Sequence, residues 1–82
     1  MEKGSFIEFA SGEVSPSGRT RTWYVNTKEG APLGRISFFG RWRCYAFWPA
    51  TGSVYERTCL RDIANFCERQ TALWRNGTRR SA

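Results

Sequence analysis

Residues 33–49 read Leu33-Gly34-Arg35-Ile36-Ser37-Phe38-Phe39-Gly40-Arg41-Trp42-Arg43-Cys44-Tyr45-Ala46-Phe47-Trp48-Pro49. They hold three of the six Phe, two of the four Trp and one of the three Tyr, with Arg35, Arg41 and Arg43 among them. Ile36 and Phe38 alternate with Arg35, Ser37 and Phe39. Beyond a tight turn at Gly40, Arg43, Tyr45 and Phe47 alternate with Trp42, Cys44, Ala46 and Trp48. Period two is the signature of a pleated strand with one face in and one face out. The run therefore predicts a β-hairpin with one face in the core and one wet, basic face. Pro49 ends it, because proline has no N–H to give the ladder.

The same alternation extends to the N-terminal side. Residues 20–27 form a strand with Trp23 and Val25 on one face and Tyr24 and Asn26 on the other. Lys28-Glu29-Gly30-Ala31-Pro32 is the connecting loop. Residues 1–18 are rich in turn formers after Phe6-Ile7-Glu8-Phe9-Ala10, and are expected to be a flexible arm, with Phe6 to Phe9 as a candidate edge strand pinned to the sheet. On the C-terminal side, Ser53 to Glu56 is expected as a short fourth strand or extended lead-in. Thr58 is the expected N-cap of the one clear helix. Leu60, Ile63, Ala64 and Cys67 fall at i, i+3, i+4 and i+7, an apolar stripe with Phe66, Leu73 and Trp74 as its candidate extensions. Asn76-Gly77 is the expected helix stop, with 77–82 left as a basic tail carrying Arg79 and Arg80. The fold class is thus α+β: an antiparallel three- to four-stranded meander packed on one C-terminal α-helix, a single domain over 19–76. Trp23, Trp42, Tyr45 and Phe47 are expected in its core.

Eighty-two residues make one domain. No apolar run reaches the roughly 18 residues of a membrane span, and the N-terminus lacks a secretory apolar region, so a cytoplasmic location is expected. The 3 cysteines, Cys44, Cys59 and Cys67, cannot form a complete disulfide set. They are read as buried thiols acting as small hydrophobes. The chain has no His and no Cys-x-x-Cys pair, so neither a metal, another cofactor nor an imidazole-assisted nucleophile is expected. No phosphate-binding glycine motif occurs. An enzyme and a small-molecule substrate are accordingly not expected.

The net charge is +6, and it is uneven. Residues 1–18 set Lys3 against Glu2, Glu8 and Glu13, while the cations of 19–82 meet only Glu29, Glu56, Asp62 and Glu68. Most of the cations are Arg, whose planar fork suits phosphates and stacks on flat rings. A basic, aromatic sheet can lie on a phosphate backbone, enter a major groove or stack unpaired bases. The expected contact residues are Arg21, Arg35, Arg41, Arg43 and Trp48, with DNA as the first partner and a host or phage protein as the alternative.

The run from Leu33 to Pro49, with Thr58-Cys59-Leu60-Arg61-Asp62-Ile63-Ala64-Asn65-Phe66 after it, resembles a family of small bacteriophage and prophage proteins. Their pattern is L-G-x-I-x-(aromatic)-x-x-x-W-R-x-Y-x-F-x-P followed by C-L-x-x-I-x-x-F. The likeness covers about residues 22–70. It implies a phage or prophage origin, hence the cytoplasm of a bacterial host, and no particular activity. A fold-level likeness to the arm-site DNA-binding domains of phage integrases adds the picture of a three-stranded sheet laid into a major groove ahead of a helix.

Overall fold

The computed structural model describes the backbone at residues 2–3 and 7–81 and the side chains at 7–76. Five strands run in sequence order across one antiparallel sheet: β1 (Glu2–Lys3), β2 (Ile7–Val14), β3 (Arg21–Thr27), β4 (Pro32–Phe39) and β5 (Cys44–Pro49). One helix, α1 (Arg57–Ser81), covers one side. This is the expected α+β meander on a C-terminal helix. No helix among the described residues is long and apolar enough to cross a membrane.

The candidate edge strand at the N-terminal side is present and longer than expected, so the segment expected as a flexible arm is largely part of the sheet. Ile7 and Phe9 are buried, and β2 pairs with β3 from Ile7↔Thr27 to Val14↔Arg21, with a shift in register between Ser11 and Val14. Two large apolar side chains at i and i+2 gain more from burial than the turn-forming residues after them cost. Phe6, the start of the expected edge contact, lies outside the described residues. Residues 53–56 form no strand. Tyr55 there packs edge-on against Phe47 at 5.4 Å, and its hydroxyl donates to the Leu33 carbonyl.

Helix α1 begins two residues earlier than expected. Its cap is Glu56, not Thr58: a Glu56 carboxylate oxygen accepts from the Cys59 N–H at 2.8 Å, and the Glu56 carbonyl accepts from Leu60 N–H. Partial burial pushes the Glu56 carboxyl up, but the hydrogen bonds from Cys59 and Thr58 outweigh it and hold the group below its ordinary value. The far end also differs. Asn76-Gly77 does not stop the helix, which continues to Ser81. An interior glycine costs only about 1 kcal/mol, and no proline follows to forbid the next turn. The side chains of Arg79 and Arg80 lie outside the described residues.

The buried stripe of α1 keeps the expected Ile63 and Phe66, with Cys67 and Trp74 half-buried, but its margins shift. Cys59, Ile63, Phe66 and Thr71 are buried and Trp74 is half-buried, whereas Leu60, Ala64 and Leu73 are exposed. The rings decide this. Phe66 stacks on Phe9 of β2 at 4.2 Å and 8°, and meets Trp23 of β3 edge-on at 5.1 Å. Trp74 lies 4.5 Å from Phe38 of β4. Facing Leu60 and Leu73 inward would expose more ring area than it buried aliphatic area. On β5, the Tyr45 N–H donates to the Thr71 hydroxyl at 2.9 Å in a buried hydrogen bond.

Gly34 lies between Val25 and Pro49 in the ladder and has φ +153°. A Cβ there would come within 2.8 Å of the Phe47 ring and closer still to the Trp48 carbonyl. Gly34→Ala should therefore destabilise by more than about 2 kcal/mol, while Gly40→Ala, with open space around it, should stay within about 0.5 kcal/mol. Urea unfolding of both variants checks this. Thr71→Val, which keeps the shape and strands the Tyr45 donor, should cost about 1–3 kcal/mol in the same experiment.

Candidate ligand surface on the outer sheet face

The side of the sheet away from α1 is set by period two. Val25, Ile36 and Tyr45 are buried, so Tyr24, Arg35, Ser37, Phe39, Ala46 and Trp48 point outward. Cross-strand register lines up Ala10, Tyr24, Arg35 and Trp48 in one row over four strands. Neighbours in such a row are within side-chain contact. The Arg35 guanidinium sits 5.1 Å from the centroid of the Trp48 ring. This is a cation–π pair, and it keeps the Arg35 fork and the Trp48 face together.

The row continues toward the β4–β5 turn. Phe39 is 6.0 Å from Trp48 and 4.7 Å from Trp42, both edge-on. Trp42 is not in the core: it is 67% exposed. The expected strand from Arg41 begins only at Cys44, because residues 40–43 form the turn. The N–H groups of Trp42 and Arg43 both reach back to the Phe39 carbonyl, and Arg43 adopts φ 53°. That left-handed residue reverses the chain and lays the Trp42 ring against Phe39. Arg41 and Arg43, both exposed, flank the ring on either side in the chain.

At the other end of the row, the Tyr24 ring lies against Gly12, where a Cβ would come within 2.9 Å of it. The Tyr24 hydroxyl donates to a Glu13 carboxylate oxygen at 2.6 Å. This bond holds the Glu13 carboxyl below its usual range and pushes the Tyr24 phenol up. The middle of the face is small and polar, with Thr22 and Ser37 hydroxyls 3.4 Å apart. A shallow depression of about 350 Å³ between Tyr24, Arg35, Trp48 and Pro49 adjoins the rings.

Of the expected contact residues, Arg35 and Trp48 are brought together, and Arg41 and Arg43 stand at one end of the same row. Arg21 is not part of it. It shares the parity of Trp23 and Val25, and its guanidinium lies 5.8 Å over the Trp23 ring, toward the helix side. The wet face is therefore less basic and more aromatic than expected. Tyr24, Phe39 and Trp42 are the members that were missed. Parity with Arg35 already places Phe39 outward, and parity with Asn26 does the same for Tyr24. The cysteines are free, with Cys59 buried and Cys44 and Cys67 half-buried rather than fully inside. Burial pushes the Cys67 thiol up to about 11, which keeps it protonated and inert. Among the described residues, no three His, Cys, Asp or Glu gather to hold a metal ion.

No protein-family model matches the chain, and no curated protein and no solved structure matches it either. The outer face has to be understood from its own chemistry.

Glu13→Gln should lower the Tyr24 phenol titration from its raised position toward the ordinary tyrosine value, since an uncharged partner no longer favours the protonated phenol. The Tyr24 ring resonances followed through alkaline titration check this. Tyr24→Phe should raise the Glu13 titration. The sign follows from a depressed carboxylate: the contribution of this bond is present above the ordinary carboxylate range and is lost as the pH falls through it.

Proposed function

We propose that the chain is a non-enzymatic binding module that takes single-stranded nucleic acid, DNA first, on the outer face of its sheet. The supporting observation is the outward-facing ring row Trp42–Phe39–Trp48, exposed at Trp42 and half-buried at Phe39 and Trp48, with guanidinium groups at Arg35, Arg41 and Arg43 beside it. Unpaired bases offer flat faces that stack on such rings, at about 1–3 kcal/mol per base, and each base brings a phosphate for a neighbouring arginine. A duplex fits less well. Its bases are already stacked, and groove binding relies on a denser set of cations and polar readout residues than this face carries. The net charge of +6 adds long-range attraction for any polyanion. Origin in a phage or prophage, and action in the bacterial cytoplasm, belong to the same proposal and rest on the motif resemblance alone.

Fluorescence anisotropy with labelled oligo-dT, oligo-U and a duplex, at low and high salt, tests this reading. The single strands should bind more tightly than the duplex. Trp42→Ala and Trp48→Ala should each weaken binding roughly 5- to 150-fold, the equivalent of about 1–3 kcal/mol. Arg41→Gln and Arg43→Gln should each flatten the salt slope by roughly 0.7 if they hold one phosphate apiece. Absence of binding at low salt, or equal binding of the duplex, would overturn the reading. A bacterial protein retained through nuclease and salt, with no oligonucleotide bound, would put the protein-partner reading in its place.

A further inference from the structure

A second concave site lies on the opposite side of the molecule from the ring row. The turn between β2 and β3 and the C-terminal half of α1 enclose a cleft of about 260 Å³. Arg19, Arg21, Trp23, Tyr45, Gln70 and Trp74 line it, and no carboxylate does. Tyr45 is 7% exposed, and its hydroxyl oxygen accepts from the Arg21 N–H at 3.2 Å. The Trp23 indole N–H is buried and without a partner among the described residues. Buried polar groups in folded proteins are normally paired, so an idle donor beside two guanidinium groups is unusual.

The rim has the other character. Val14 is 48% exposed and Leu73 63% exposed, and both line the same opening. Solvent-exposed apolar side chains next to a pocket are common at ligand sites. The volume falls just below the roughly 300–1,000 Å³ of sites for drug-sized molecules, which suits one ring and one head group.

We infer that this cleft binds a small organic anion, an apolar body carrying a carboxylate or phosphate head. Arg19 and Arg21 meet the head with their guanidinium forks, and the Tyr45 hydroxyl donates to it. Val14, Leu73 and Trp74 cover the apolar body. The inference is independent of nucleic-acid binding, since none of the rings of the outer row lines the cleft.

The test follows the four tryptophan indole N–H signals of the full-length protein by NMR, assigned with single Trp→Phe variants. Phenyl phosphate, benzoate, inorganic phosphate and benzylamine are titrated in turn. The expected result is a saturable shift of the Trp23 and Trp74 signals with phenyl phosphate or benzoate. Inorganic phosphate should act at least tenfold more weakly, benzylamine should give none, and the Trp42 and Trp48 signals should not move. Arg19→Gln with Arg21→Gln should weaken the response tenfold or more while the rest of the spectrum is kept. Tyr45→Phe should weaken it without abolishing it. The inference is overturned by no saturable shift at millimolar ligand, by an equal response to benzylamine, or by an unchanged response in the double arginine variant. Loss of oligonucleotide binding leaves these readouts untouched, so the two ideas fail separately.

Discussion

The wedge of Phe66 between Phe9 and Trp23 is the contact from which the two faces of the sheet follow. Its ring is wholly buried and touches two strands at once, stacked on one and edge-on to the other. Aromatic pairs of this geometry add about 0.5–1.5 kcal/mol beyond their buried area, which counts for much in a chain of 82 residues. An antiparallel sheet is stable with a single covered side. Once Phe66 fixes which side that is, period two sends every second residue of β3, β4 and β5 the other way. Tyr24, Arg35 and Trp48 face solvent because Val25, Ile36 and Phe47 do not.

The two sides divide the arginines between them. Arg35 lies on the outer face, Arg41 and Arg43 stand at its turn, and Arg19 and Arg21 are turned toward the helix. Three guanidinium groups lie over aromatic rings: Arg35 on the outer face over Trp48, Arg21 over Trp23, and Arg69 of the helix over Phe66. Such stacking orders a long side chain without neutralising it. Charge is thus distributed as several small, ring-backed sites and not as one broad basic plate. A surface of that kind suits ligands with a flat body and a charged group in alternation better than a smooth polyanionic rod.

The strands with clean alternation, β3 to β5, were legible from residue order, and so were the helix and its place after the sheet. What was not legible depended on partners distant in sequence. Ile7 and Phe9 look like an isolated apolar patch until β3 and Phe66 are there to receive them. On the helix, Ile63 and Phe66 are buried as the periodicity predicts. Only the shape of the opposing sheet decides that Cys59 and not Leu60, and Trp74 and not Leu73, flank them. Glu56 outcompeted Thr58 as cap because, from the position just before the helix, its side chain reaches back over the first turn to the Cys59 N–H. The outer face was half legible: parity already separated Arg21 from Arg35, but charge density drew the two together. Trp42 was misplaced for a different reason. The left-handed Arg43 shortened the strand, and no residue-level preference signals a positive φ at arginine.

The hydrogen bond from Tyr45 to Thr71 has a meaning beyond cohesion. β5 is the terminal strand of the sheet, and its outward N–H groups belong to residues 45, 47 and 49 by alternation. The first is occupied by Thr71, and the last does not exist, because residue 49 is proline. A strand from another copy would find a single donor, at Phe47, where a template needs a row. The helix thus blunts this edge of the sheet with one hydroxyl, so that the strand beside the aromatic wall is a poor template for a further strand.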